Sequence, residues 1–370
     1  MPPTASDPVK ASPPIVEIGN AGLLARVDPA NAELLWTSEE DLARPTPENV
    51  REFGLREFWQ LWRRAWRYEI DTIVVHPATR HPPWHWRPLR SVFHWPPRPW
   101  ARLVRLFGIQ AIRLLPRRMI VIVVDGDDMR TIPCCNAFLL DRCTWYFKRE
   151  LPIDRWQVFQ RTCHPEMPST RYRNKPRNRA RIEKLRPWAI GLPSDGPALP
   201  EMAFPDKTIG LFVAVAANSS TVRATGLEEL RALAARRRDV VIADARMLHD
   251  EFMRRMASAW LTWSPEGFGW DCIRHYEAAS VYSVPVINQP TIVRFAPLLE
   301  GVHALHYDAD LPGSLTRVVE EALADPERLR RIATAARAHI AAHHLTPWSR
   351  VDQLRAYRAG IETPPGGIAL

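Results

Sequence analysis

Short apolar runs rich in β-branched residues alternate along this chain with stretches of helical periodicity, and few architectures accommodate that alternation. Residues 51–68 repeat Phe58, Leu61, Trp62, Ala65 and Trp66 at helical spacing, and residues 71–76 (DTIVVH) follow as a strand. Residues 100–115 are helical again, and 118–124 carry a second buried-strand pattern that ends at Asp125, Gly126, Asp127 and Asp128. Strands of this kind separated by helices predict a parallel sheet covered on both faces, with ligands at the carboxyl ends of the strands.

The pattern repeats after residue 207: strand 208–215, helix 226–236, strand 240–243, helix 247–257 and strand 259–262. A loop (264–270), a helix from near Asp271, a strand at 284–287 and three helical stretches from 312 to 358 complete it. Residues 151–206 lack periodicity and are rich in Pro, Arg and Asn, which predicts an irregular connection ending at a boundary near Pro205. The expected organisation of the 370 residues is α/β throughout. A flexible Pro-rich tail (1–14) precedes an N-terminal α/β domain (15–205); a second such domain (206–345) and a closing helix with tail (346–370) follow.

Composition excludes several classes. The longest apolar run, 211–217, is far short of the roughly 20 residues of a membrane-spanning helix, as is the run at 119–124. The N-terminal residues lack a signal-like apolar stretch, so a cytoplasmic protein is expected. Five cysteines without a CxxC argue for thiols over disulfides or a structural metal. The net charge of +9 is concentrated. Residues 72–124 hold nine arginines and no carboxylate, and 171–186 hold eight cations against Glu183. Such clustering points to an anionic partner.

The densest group of unusual residues is SPEGFGWDCIRHYE, 264–277, between a predicted strand and helix. Asp271, Arg274 and Glu277 are three apart and drift slowly around one helix face, and Asp271 suits an N-cap. Glycines ahead of them let backbone N–H groups approach an anion, and an arginine on the first turn can hold diphosphate oxygens bidentately. A carboxylate one turn later can accept ribose hydroxyls. The competing reading is structural: Asp271 caps the helix, and Arg274 and Glu277 form a solvated i,i+3 ion pair.

The stretch SPEGFGWDCIRHYEAASVYSVPVINQPTIVRFAPLLEG resembles the donor-binding segment of group 1 GT-B glycosyltransferases, above all the spore-maturation and exostosin-like branch with its Asp-x-x-Arg-x-x-Glu pattern. The resemblance runs from about Lys207 to Arg358, with weaker support from residues 145–151. It implies two Rossmann-like domains facing across a cleft, a nucleotide-diphosphate sugar as donor, no required metal, and transfer to an acceptor hydroxyl of a glycan or lipid-linked glycan. By that analogy Glu277 holds the ribose, Arg274 the diphosphate, and Glu266 with Gly267 and Gly269 the sugar or phosphates. Asn218 and Arg223 fall where the family places a phosphate-facing loop. Two departures stand out: Glu266 and Glu277 enclose ten residues where common members have seven, and Ser283 replaces a usual Gly.

In the N-terminal half, Asp125 and Asp127 after a buried strand, and His76 at the end of the preceding one, are the candidate catalytic groups. The Asp-x-Asp spacing also matches metal-dependent GT-A enzymes, an alternative that leaves the second half unexplained. Lys148 and Arg149 are further phosphate candidates, or else pair locally with nearby acids. Seven tryptophans between Trp59 and Trp100 overlap the acid-free segment. The Trp- and Arg-rich residues 80–118 therefore suit an anionic membrane surface, with nucleic acid disfavoured for want of a recognition motif. A catalytically silent scaffold at such a surface is the alternative to an enzyme.

Overall fold

The computed structural model describes residues 14–37, 47–77, 109–133, 136–160, 176–216, 219–243, 245, 247–360 and 368–369. Trp84, Trp86, Trp95, Trp100, Arg80 to Arg105, Arg171, Arg173, Lys175, Asn218 and the tail through residue 13 lie outside them. The chain divides into two compact units, 1–124 with 138–145 and 125–137 with 146–370.

The first unit contains β1 (Ile15–Gly19), α1 (Leu24–Val27), β2 (Ala32–Trp36), β3 (Val50–Glu52), α2 (Leu55–Trp66), β4 (Thr72–Val75), β5 (Ile120–Asp125) and α3 (Leu139–Arg142). The strands lie in the order β3-β2-β1-β4-β5, all parallel. β4 and all but the first residue of β5 are buried, as continuous apolar runs require of a doubly covered sheet. The helical reading of 51–68 resolves into β3 and α2, and its core face needs correction. Leu61 and Ala65 are buried, whereas Trp66 is 51% exposed and Trp62 half-buried. Of the expected helix at 100–115, the described part is helical at residues 109–110 and continues as a 3₁₀ turn, Ala111–Leu114.

The second unit opens with β6 (Trp145–Lys148), which continues through α4 (Arg177–Ile182) to β7 (Leu185–Pro187), parallel to β6, and then to β8 (Leu192–Pro193). α4, β7 and β8 lie within the stretch 151–206 expected to be irregular. At two to six residues each, they are too short to leave a periodic signal. The regular part follows: β9 (Ile209–Val213), α5 (Thr221–Ala234), β10 (Val240–Ile242), α6 (His249–Ala257), β11 (Ala259–Trp263), α7 (Ile273–Ser280), β12 (Val284–Asn288), β13 (Arg294–Phe295) and β14 (Leu305–Tyr307). α8 (Ser314–Leu323), α9 (Pro326–His343), β15 (Leu345–Thr346) and α10 (Trp348–Arg358) are the expected closing helices and a short strand. The sheet order is β10-β9-β11-β12-β14, all parallel, a doubly wound arrangement.

α5 starts five residues earlier than its apolar pattern, because Ser220 caps it by accepting from the Arg223 N–H. Gly226 lets α5 approach the sheet. A Cβ there would lie 2.4 Å from the Trp263 ring, which is wholly buried and donates to the Tyr307 hydroxyl at 3.1 Å. That ring cannot swing aside without breaking its bond. Gly226→Ala is therefore expected to destabilise the fold by about 1–3 kcal/mol, read as a lower denaturant midpoint at unchanged slope.

Candidate functional site

β11 delivers the chain to residues 264–272 at its carboxyl end, and α7 begins immediately after. The first turn of α7 ties this loop together. His275 Nδ1 lies 2.7 Å from the Ser264 hydroxyl and Nε2 3.0 Å from the Trp270 carbonyl, both contacts buried. Burial pushes the His275 imidazolium down to about 3, so the ring is neutral at physiological pH. A carbonyl can only accept, so Nε2 carries the proton and Nδ1 accepts from Ser264.

Glu150, two residues past β6 and wholly buried, holds the loop from the other side. Its two oxygens accept the N–H groups of Trp270 and Asp271, each at 2.9 Å. Burial, with nearby Asp271, pushes its carboxyl up to about 7. Gly269 is the point of closest approach, since a Cβ there would meet the Glu150 carboxyl carbon at 2.6 Å.

Asn288, the last residue of β12, fixes Glu266. Its side-chain oxygen accepts the Glu266 N–H at 2.9 Å and its nitrogen donates to Glu266 Oε2 at 3.1 Å. The Glu266 carbonyl accepts from Ser220 Oγ at 3.1 Å and Arg223 Nε at 2.8 Å. Arg223 is buried and also donates to Ser219 Oγ at 2.7 Å, so the structure turns this candidate diphosphate ligand onto the loop backbone. Gly267 packs against the same guanidinium, 2.9 Å from where its Cβ would stand. Asn218 lies outside the described residues.

The three motif residues meet different fates. Asp271 does not cap α7; Cys272 occupies that position and no side chain caps the helix. The Asp271 carboxylate instead accepts from the Ile190 N–H at 2.6 Å and the Tyr276 hydroxyl at 2.5 Å. Burial and this carboxylate raise the Tyr276 hydroxyl well above its ordinary range. Arg274 is different: its Nε and Nη1 are buried with no hydrogen-bond partner among the described residues. Its guanidinium carbon lies 5.8 Å from the centre of the Phe252 ring. Glu277 is half-buried, and burial raises its carboxyl against the opposing pull of Arg274. A solvated ion pair on an open helix face is not what these positions form.

The acidic turn after β5 is largely committed. Asp125 Oδ2 accepts from Tyr146 Oη at 2.8 Å and Lys148 Nζ at 3.1 Å, and Oδ1 accepts the Asp127 N–H at 3.2 Å. Buried and salt-bridged, Asp125 is committed to Tyr146 and Lys148, and among the described residues no cluster of three metal-ligating side chains accompanies the Asp-x-Asp pair as the GT-A alternative would want. Arg149 pairs with Asp128 and lies 3.5 Å from Asp271, so the cations of 145–151 pair locally instead of pointing toward a phosphate. Asp127 is half-buried, and burial together with Asp125 raises its carboxyl. In the first unit, His76 Nε2 lies 3.0 Å from buried Glu17, whose oxygens also accept the Leu23 and Ala25 N–H groups at the start of α1.

Four supporting residues were not singled out in sequence: Glu150, Ser264, His275 and Asn288. Asn288 alone carried a signal, a polar residue closing the apolar strand VPVIN. Among the described residues no helix is long and apolar enough to cross a membrane.

No family model matches the sequence, and no curated relative does. Solved structures do match. The chain is similar to a glycosyltransferase from Rickettsia africae, at 8% identity and a TM-score of 0.52 over 95% of this chain and 99% of that one. It is similar to Anabaena HepE in complex with UDP, at 12% identity and 0.50 over 94% and 99%. It also resembles an alpha-glucosyltransferase in complex with UDP-glucose and DNA, at 11% and 0.50 over 93% and 98%. These likenesses extend over nearly the whole chain, and the chain has the GT-B glycosyltransferase fold.

Proposed function

We propose that this chain is a glycosyltransferase that binds a nucleotide-diphosphate sugar at loop 264–272 and the first turn of α7, and passes the sugar to an acceptor hydroxyl on a glycan or lipid-linked glycan. One observation carries the reading: Arg274 keeps two buried donors without a hydrogen-bond partner among the described residues, one turn into an uncapped helix behind a braced glycine loop. Buried polar groups are otherwise paired, so an acceptor-rich anion is the missing partner. Two similar structures were solved with UDP or UDP-glucose, which suits a diphosphate there.

The chemistry follows from charge. As the glycosidic bond to the donor breaks, negative charge grows on the departing diphosphate. Arg274 and the α7 N-terminal amides stabilise it in a site that needs little reorganisation, because Glu150, His275, Asn288 and Arg223 already fix the loop. Glu277 holds the ribose hydroxyls, and Glu266 with Gly267 and Gly269 lies toward the sugar. Asp271 acts indirectly by orienting the loop. Asp127 and His76 are the candidate bases, whereas Asp125, held by Tyr146 and Lys148, is not a free base.

A thermal-shift panel of UDP-, GDP-, ADP- and dTDP-sugars tests the donor. At a hundredfold excess over Kd, one member should stabilise the fold by about 2.7 kcal/mol, and transfer should persist in EDTA. No shift with any member sinks the proposal, and binding without turnover would leave a silent scaffold.

A further inference from the structure

α2 carries two stripes that the donor site does not use. At roughly 100° per residue, positions 55, 59, 62 and 66 fall within about 60° of one another. Leu55 is 70% exposed, Trp59 55% and Trp66 51%. The buried Leu61 and Ala65 point about a quarter-turn away, into the first unit's core. On the opposite flank of the aromatic stripe, Arg56, Arg63 and Arg67 line up, all exposed. Arg118 extends the patch by stacking on Tyr68, its guanidinium carbon 3.7 Å from the ring centre.

The carboxylates nearby offset only part of this charge. Glu33 is taken by Arg51 and Arg64, and Glu69, 3.9 Å from Arg67, offsets that arginine and leaves Arg56 and Arg63 to carry the stripe. Glu57 falls on the side of the helix away from the tryptophans. A core explanation fails for Trp59 and Trp66, because half of each ring surface meets solvent. Single exposed apolar residues need no account, but an aromatic stripe beside a cationic one does.

We propose that α2 docks this chain on an anionic phospholipid surface, with Leu55, Trp59 and Trp66 entering the headgroup boundary and Arg56, Arg63 and Arg67 meeting the phosphates. Charge complementarity selects the occupant, and the residue types match those that lie in a bilayer interface. Single-stranded nucleic acid fits less well: Trp59 and Trp62 are stacked on each other at 5.1 Å, so their inner faces are closed to a base. This surface is independent of the donor site.

The full chain should float with vesicles containing one-third phosphatidylserine and stay behind with phosphatidylcholine alone, more strongly at low ionic strength. Trp59→Ser with Trp66→Ser should lower the partition coefficient at least tenfold. Arg56→Glu with Arg63→Glu should lower it about fivefold or more for each arginine. Trp59→Phe with Trp66→Phe should restore most of it, and none of these exposed changes should move the unfolding midpoint. Failure of the wild-type chain to bind anionic vesicles overturns the proposal, as does undiminished binding by both double variants. Binding of a labelled oligonucleotide through these residues, without vesicle binding, would give the face to nucleic acid and overturn it too.

Discussion

Arg274→Ala is expected to cut sugar transfer by about 10²–10³-fold while leaving the unfolding midpoint unchanged or slightly higher. The two halves of this expectation come from one fact. Two donors of this guanidinium are buried with no hydrogen-bond partner among the described residues, which costs the folded state desolvation that the Phe252 ring and the charge of Glu277 return only in part. Deleting it removes that penalty, so the usual loss on truncating a buried arginine should not appear. The transition state has the opposite interest, since charge growing on the departing diphosphate is what those donors are placed to meet. Arg274→Lys keeps the charge but loses the planar fork, and should recover only part of the rate. The nucleotide-sugar thermal shift should vanish in the alanine variant. A large fall in midpoint with an intact shift would show that Arg274 is structural and that the pocket has been placed wrongly.

Glu150 gives the opposite profile. Glu150→Ala leaves the Trp270 and Asp271 amides without their acceptor, at about 1–3 kcal/mol for each buried donor, and both stability and donor affinity should fall together. The loss is coupled to Gly269. Gly269→Ala should be costly in the wild-type chain, where the new methyl meets the Glu150 carboxyl, and nearly neutral beside Glu150→Ala. Solution pH gives an independent handle. The folded carboxyl titrates at about 7, against an ordinary value of 4.5, so the folded state holds its proton more tightly. The contribution of Glu150 is full below about pH 4.5 and is lost as pH rises through about 7, by up to about 3 kcal/mol.

The neutral histidines oppose this trend. His275 at about 3, with His303 and His306 at about 4, must take up protons on acid unfolding, so their contribution is present above about pH 6.5 and is lost as pH falls toward those values. The two trends partly cancel between about pH 4.5 and 6.5. The difference between wild type and Glu150→Gln isolates the carboxyl: it should shrink as pH rises from about 4.5 to about 7 and level off above, and a difference flat across that window would count against the titration.

Much of this was legible in advance where the signal was local. The strands β4, β5, β9, β11 and β12 are apolar runs whose burial follows from having helices on both sides. The glycine elbow and the Asp-x-x-Arg-x-x-Glu spacing marked the loop and Arg274. The failures share a cause. Asp271 looked like a cap because its partners, the Ile190 N–H and Tyr276, are set by the fold and not by the nearest turn. Arg223 looked like an anion ligand because nothing in SSTVR shows that the carbonyl of Glu266 lies 2.8 Å from its Nε. For Lys148 and Arg149 the sequence left phosphate and local pairing both open, because Asp125, Asp128 and Asp271 reach them only through the tertiary fold. Trp62 and Trp66 shared the helical period of Leu61 and Ala65, and periodicity alone could not say which stripe faces inward.

The dependence of the loop on Glu150 bears on how the chain can be divided. The carboxylate lies 120 positions ahead of the Trp270 amide that it receives. A fragment cut to begin at β9 would keep every strand of the doubly wound sheet yet lack the anchor for its elbow, along with the Ile190 amide that holds Asp271. Ribosomal synthesis meets the same gap, because the anchor emerges long before the segment it secures. Expression of the later half by itself should therefore yield a folded sheet with a slack elbow and little grip on nucleotide, and adding residues from 146 onward is the shortest extension that restores it.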